Sequence, residues 1–481
     1  MFCWKRKSEN NNKQDDDETS AFLTVQLTFL KFGGILPSKS IFNSPLKIKI
    51  YNFFATISML WYIPIVVAQG VAAYQHWGNV SFVTGLLFES AAVLNNLMIS
   101  SYLMMNRHKI SSIICKVNSA FKNQTEQLPF EEKHQQSLSD ASNKNLKFAW
   151  ILIITNILSS TLWVLVPFLL WYTYDGDDIY EHDESQEKEI HWEFFSQKSW
   201  LPSNVYETPY YQIIWFYQTV PVYSILINFT GYNMFFYSVT TFASTHFQIL
   251  ADLLRNANKY IESTTLIQSS LEHQALTRGN LNTENEHIQV SDVHELNISD
   301  ENMHGKMEIK SEFNYSINKN ERKETYQDVA YLVKCLKYHQ ALLEFCADVQ
   351  NLFGPILFIF FCMNGIMMCI TVFQATLPSE EEGFIKFSMA SLSCWFPIFL
   401  LCWYGDHLTI QSLEIEERAY GCLWYNSSTT FKKILQFLIK RSQEPVQLNG
   451  GGVFPISLKG FADIANNVYA YYTILKKMQQ A

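Results

Sequence analysis

Two groups of residues combine telling chemistry with telling position. Glu89 is the one acid inside a set of long apolar runs. An ionisable group about ten residues into a membrane helix faces protein or water rather than lipid. Three roles fit Glu89: holding a structural hydrogen bond, carrying a proton, or meeting the polar end of a ligand. The second group is Asn467, Tyr471, Ile474 and Met478, spaced four, three and four apart and therefore on one helical face. Amides and phenols on a spanning helix are tolerated where that face borders water or protein.

Reactive chemistry of the enzymatic kind has no such signature. The chain carries no Gly-rich phosphate loop, no His-Glu-x-x-His and no nucleophile elbow. His182 and His191 lie in an acidic stretch without repeated ligand spacing, so no metal or cofactor is expected. That stretch, Tyr174 to Glu207, holds ten acids and reads as a soluble lid or as a negative mouth that concentrates cations. A net charge of -9 without a clustered basic surface excludes a nucleic-acid partner.

The elements that must position these residues are membrane helices. Hydrophobic residues make up 48% of the 481 and charged ones 17%, but the charges collect between long apolar runs instead of recurring at a helical or strand period. A span needs about 20 mostly apolar residues. Six runs qualify: Ile50 to Ala73, Val80 to Met105, Phe148 to Tyr172, Ile213 to Tyr237, Phe353 to Phe373 and Phe384 to Tyr404. Lys386, the one base within them, stands at the start of its run, where a long side chain reaches the interface. Pro455 to Met478 is a weaker seventh, interrupted by Lys459, Asp463, Asn466 and Asn467; an interfacial amphipathic helix is the alternative there.

Orientation follows from Lys and Arg, which are retained on the cytosolic side. From the N-terminus to the last loop they number eight, none, seven, two, ten, none and five. This alternation predicts an all-α membrane protein with seven transmembrane helices, a cytosolic N-terminus, an extracellular C-terminus and cytosolic anchor helices. The expected division is a cytosolic segment 1–46, helices 1–4 over 47–254, a disordered cytosolic insertion 255–325 and an anchor helix 326–352. Helices 5–6 follow over 353–404, anchor helices and a turn over 405–454, and helix 7 over 455–481. No disulfide framework is expected from the nine cysteines.

From His339 onward the residues follow a known pattern. His339-Gln340 with Leu343, Phe345, Asp348, Phe353 and Pro355 leads to Phe373-Gln374; Cys402, Tyr404, Gly405 and Asp406 close the sixth run. The ending RSQEPVQLNGGGVFPISLKGF, with Tyr469, Tyr472 and Leu475 beyond it, is the most specific part. In these features the chain resembles the insect odorant receptors. It departs from many of them at Asn233, where Asp is usual, and at Ala470, where Ser is usual. The co-receptor's characteristic C-terminal sequence is absent, so the resemblance is to a ligand-tuning subunit.

That resemblance implies an odorant-gated, non-selective cation channel in the plasma membrane of olfactory neuron dendrites. Its implied partners are a small volatile odorant, the co-receptor in a hetero-tetramer, and membrane lipid. It places the gate on helix 7 at Asn467, Tyr471, Ile474 and Met478. It places the odorant pocket in the outer halves of helices 2, 3, 4 and 6: Phe88, Glu89 and Ala92; Thr161, Phe168 and Trp171; Phe216, Thr219 and Tyr223; Phe387, Ala390 and Ser391. A gustatory-type channel of the same superfamily is an alternative, as is a metabotropic seven-helix receptor, though the latter has its N-terminus outside.

Overall fold

The computed structural model describes residues 22–120, 132–173, 194–288, 301–376 and 381–480, apart from 39–40, 42–43, 202–204 and 206–207; side chains of 119–120, 258–327, 381–386 and 478–480 lie outside that description. Eleven α-helices are described: α1 Thr24–Phe32, α2 Pro45–Leu60, α3 Tyr62–Gln75, α4 Val80–Met105, α5 Arg107–Cys115, α6 Glu132–Thr173, α7 Tyr210–Ile288, α8 Glu301–Ala375, α9 Glu381–Tyr420, α10 Thr429–Ser442 and α11 Leu458–Gln480. A short hairpin, β1 Asn449–Gly450 with β2 Phe454–Pro455, precedes α11.

The starts of these helices follow from local chemistry. Pro45 opens α2, where its missing N–H is not needed. Asn79 caps α4 by accepting from Phe82 N at 3.0 Å. Ser428 caps α10 through Phe431 N. Arg107 locks the corner between α1 and α2: Nη2 donates to Gly34 O and Nη1 to Asn52 Oδ1, both at 2.7 Å.

Five segments among the described residues are long and apolar enough to cross a membrane: Pro45–Gln75, Val80–Met105, Glu132–Thr173, Asp328–Ala375 and Phe387–Tyr420. The fourth expected run, in α7, falls short of that measure. Its position explains the difference, because from Leu226 inward α7 is the centre of the bundle. Asn228, Thr230, Asn233, Ser238, Thr240 and Ser244 are all buried there. Most of their groups bond within the protein: Ser238, Thr240 and Ser244 donate to the preceding turn, Asn233 Nδ2 donates to Phe229 O, Thr230 accepts from Asn156, and Asn145 Nδ2 donates to Ser238 Oγ at 2.9 Å. A helix wrapped by protein needs less hydropathy than one that faces lipid.

On the side expected to be cytosolic, the inner ends of α7, α8 and α9 form a bundle with α10. Tyr338, Leu342, Phe345, Ile415, Leu435 and Leu438 are buried in its interior within this one chain. These apolar faces of the anchor helices are therefore covered within the one chain. His246 Nδ1 lies 2.5 Å from the Tyr338 hydroxyl in the same core. Burial pulls the His246 pKa down to about 3 and that of His339 to about 4, with the Arg441 charge lowering His339 further. Burial pushes the Cys335 and Cys346 thiols up to about 12, which leaves them inert packing groups.

Two expectations need correction. The backbone runs as helix through α7 to Ile288 and again from Glu301, across much of the stretch expected to be disordered. Its Glu, Lys, Gln and Leu are good helix formers, which a reading from low apolar content leaves out. Cys115 is disulfide-bonded where no disulfide framework was expected, while the seven other described cysteines are free. Cysteine spacing carries no information on a single bridge.

Candidate ligand pocket and pore helix

The segment 194–201 folds back against the helices, and its backbone accounts for how it is held. Tyr211 Oη donates to Phe194 O at 2.9 Å and Trp163 Nε1 to Ser196 O at 2.9 Å. Gln218 Nε2 donates to Gln197 O at 2.9 Å, its Oε1 accepts from Gln197 N, and Trp200 N donates to Ala68 O at 3.0 Å. A buried loop survives only when its polar backbone is paired in this way.

Glu89 belongs to the same arrangement. It is 7% exposed, and its Oε2 accepts the Lys198 backbone N–H at 2.6 Å. The Lys198 ammonium sits 5.3 Å from the Phe82 ring centroid, above the first turn of the same helix. The intramembrane acid thus ties the loop to α4 through a charge-assisted bond.

The other candidate residues separate into three groups. Phe88 and Phe387 meet edge-on at 6.4 Å, Trp163 lies 6.4 Å from Phe88, and Ala390 is buried while Ala92 and Ser391 are half-buried. Thr161 Oγ1 and Tyr223 Oη are 3.3 Å apart, joining α6 to α7. Phe168 and Trp171 instead enter a separate outer cluster: Trp171 stacks on Tyr211 at 4.0 Å, and Phe168 lies 5.0 Å from Trp215.

Phe216 does not join any of them, because it is 61% exposed on the outer side of α7. The turn of the helix carries neighbouring Trp215 and Gln218 inward there instead. Thr219 bonds the carbonyl of Trp215 at 2.7 Å and so serves its own helix. Trp163, Gln197, Lys198 and Gln218 were missed. The one signal available was the run Phe194-Phe195-Ser196-Gln197-Lys198-Ser199-Trp200, an acid-free, aromatic break in an acidic loop. The acids at 174–193, with His182 and His191, lie outside the described residues.

The candidate pore helix α11 has one packed and one bare side. Phe461 meets Trp395 at 5.9 Å and Phe399 at 5.6 Å, and Val468 is buried. Asn467, Tyr471 and Ile474 are exposed on the flank of that packed stripe, Tyr471 to 62% and Ile474 to 52%; the Met478 side chain lies outside the described residues. The helix is aimed by the hairpin before it. Gln350 pairs with the Asn449 backbone in both directions, at 2.8 and 2.9 Å, and Val446 N donates to Ser412 Oγ at 2.9 Å. Gly451 has φ of 61° and a Cβ there would come within 2.8 Å of the Phe358 ring, so the turn requires glycine.

A sequence model of the seven-transmembrane odorant receptors, described as "7tm Odorant receptor", matches residues 79–469. The chain belongs to that family. It is similar to odorant receptor 67c of Drosophila melanogaster, 30% identical over 159 residues, which are 33% of this chain and 38% of that protein. The chain thus matches well under half the length of that curated relative. It is also similar to the odorant receptor coreceptor of Anopheles gambiae, 22% identical over 394 residues, 75% of this chain and 78% of that protein.

In fold, this odorant receptor is similar to the insect olfactory receptor OR5 from Machilis hrabei in complex with eugenol. The TM-score is 0.69 at 13% identity, covering 96% of this chain and 98% of that one. The receptor is an all-α, multi-pass membrane protein with the seven-helix fold of its family.

Proposed function

We propose that this receptor is the odorant-tuning subunit of a ligand-gated, non-selective cation channel. It would reside in the plasma membrane of olfactory sensory neuron dendrites, with its N-terminus in the cytosol and its C-terminus outside. Its partners are a small volatile odorant, the co-receptor with which it forms a hetero-tetramer, and membrane lipid. The observation that carries this reading is the bare face of α11, where Asn467, Tyr471 and Ile474 stand exposed in a single chain. Such a face suits a water-filled axis between subunits, with apolar side chains at Ile474 and Met478 able to close it by dewetting. Family membership supports the same assignment. The ligand pocket is placed around Phe88, Ala92, Thr161, Tyr223, Phe387, Ala390 and Ser391, between α4, α6, α7 and α9, with aromatic walls and few polar groups.

Whole-cell recording tests the proposal in cells co-expressing the co-receptor and lacking G-protein signalling. Odour-evoked current is expected without added nucleotide, and substitutions at Ile474 and Met478 are expected to change ion permeability ratios. Unchanged permeation together with altered odorant preference at those positions would refute the pore assignment.

A further inference from the structure

Side chains from three elements converge on one point of α4, at the outer end of the proposed odorant pocket. A Cβ placed on buried Gly85 would lie 3.2 Å from Lys198 Nζ, 3.4 Å from Phe387 Cζ and 3.7 Å from Gln374 Nε2. Gly85 precedes Phe88 and Glu89 by three and four residues and so shares their face of the helix. Phe387 is the ring that meets Phe88 edge-on. The ammonium of the folded loop and the amide near the end of α8 therefore stand against the aromatic wall, and the absent side chain at Gly85 gives them room.

The bonding capacity of these groups defines what fits between them. Gln374 is 2% exposed, and its Nε2 donates to Ser81 O at 2.6 Å and to Thr84 Oγ1. Ser81 O only accepts, which fixes the amide nitrogen on that side. Gln374 Oε1 has no hydrogen-bond partner among the described residues, yet it is not one of the sealed polar atoms of the bundle, so a water-sized neighbour reaches it. Lys198 Nζ, held 5.3 Å from the Phe82 ring centroid, carries three N–H donors and no acceptor, more than one neighbour uses. Along the rest of the wall the Trp163 N–H is taken by Ser196 O, and Thr161 and Tyr223 face each other. The outer end thus sets an acceptor beside a donor, the complement of a hydroxyl group.

We infer that Lys198 and Gln374 recognise the hydroxyl group of an alcohol odorant. The ligand oxygen accepts from Lys198 Nζ and its hydrogen goes to Gln374 Oε1, while the apolar body lies along Phe88 and Phe387. An ether or ester of the same shape satisfies Lys198 alone, and a hydrocarbon satisfies neither. A carboxylate is disfavoured, because it would meet Gln374 Oε1 and come near the Glu89 carboxylate, whose Oε2 holds Lys198 N. The inference rests on the pocket assignment above and not on ion conduction.

The test reads thermal stabilisation of the full chain in lipid nanodiscs, alongside odour-evoked current in cells co-expressing the co-receptor. The probes are hexanol, octanol and phenylethanol, each with its methyl ether and the hydrocarbon of matching length. At least one alcohol is expected to stabilise saturably, and its affinity to fall about three- to tenfold in the ether and again in the hydrocarbon. Lys198→Met removes the ammonium and keeps the backbone N–H that Glu89 holds; it should weaken alcohol and ether about tenfold and leave the hydrocarbon unchanged. Gln374→Met should weaken the alcohol alone. That variant also loses the bonds to α4, so Lys198→Met carries the test if Gln374→Met lowers the melting temperature. The expected ranking without any current supports the inference while refuting the channel reading. Alcohol, ether and hydrocarbon that bind alike and are lost together in Ala390→Phe keep the pocket and overturn the inference. It is also overturned if no alcohol stabilises saturably, if hexanoate binds more tightly than hexanol, or if Lys198→Met leaves the ranking unchanged.

Discussion

Replacing Gly405 by Ala probes whether the bilayer-side geometry of α11 is set by contact with α9. A Cβ at 405 would lie 2.5 Å from Ile456 Cγ2 and 2.6 Å from Ile456 O, some 0.9 Å inside ordinary contact. The obstacle includes backbone, so a rotamer change cannot relieve it. Ile456 is fully buried and its N–H is bonded to Leu448 O at 2.9 Å. Retreat in the other direction is closed, because a Cβ at Gly450 would already be 3.1 Å from Phe358 N on α8. Overpacking of this kind costs about 1–3 kcal/mol. Removing a helical glycine returns up to about 1 kcal/mol, so a net loss of about 1–2 kcal/mol is expected. The readouts are thermal unfolding of the purified receptor and the half-maximal odorant concentration for current, normalised to surface expression. Gly365→Ala is the control, since no atom lies within 4 Å of a Cβ there; it should be neutral or slightly stabilising. If Gly405→Ala melts and conducts like Gly365→Ala, the argument that α9 positions the pore helix is refuted.

Three further outcomes are expected. Glu89→Ala removes a charge-assisted bond worth about 1.5–3 kcal/mol and should raise protease sensitivity at 194–201, whereas Glu89→Gln keeps an acceptor for Lys198 N and should retain most protection; equal behaviour of the two would show that the bond does not hold the loop. Leu438→Ala, at a fully buried site in the inner bundle, should cost about 2–5 kcal/mol, while the 72% exposed Phe437 should tolerate Ala in the isolated subunit and lose stability only on assembly with the co-receptor, as read by thermal unfolding of both forms. For His339, the folded pKa of about 4 lies below the 6.5 of an exposed imidazole, so the unfolded chain takes up a proton first. Stability is therefore complete above pH 6.5 and falls as pH drops toward 4, by on the order of 2 kcal/mol at pH 5; melting temperatures at pH 7.5 and 5 for wild type and His339→Gln should converge at the lower pH, and a wild-type curve flat across that range would count against the buried neutral imidazole.

Legibility varied with the kind of signal. Spans 2, 3, 5 and 6 were readable because lipid demands long uncharged runs, and α4 begins and ends at Val80 and Met105, the limits expected. The turn before α11 was readable from three consecutive glycines, two of which take positive φ. The pocket was less so. Helical spacing marks a face but not its azimuth, which is why Phe216 points outward while Phe88 and Phe387 meet. Gln197, Lys198 and Gln218 were invisible because their significance lies in contacts between a loop and helices distant in sequence.

By itself the sequence determined an all-helical membrane chain, the family, and the single acid and polar last helix that demanded explanation. The family followed from the motifs after His339; the membrane reading rests on transfer free energy, which is nearly additive along the chain and can be summed without coordinates. Tertiary structure decided which polar groups were already paired, and that Glu89 serves the loop through Lys198 N. Pairing and packing depend on which distant residues meet, and that is a property of the folded chain alone.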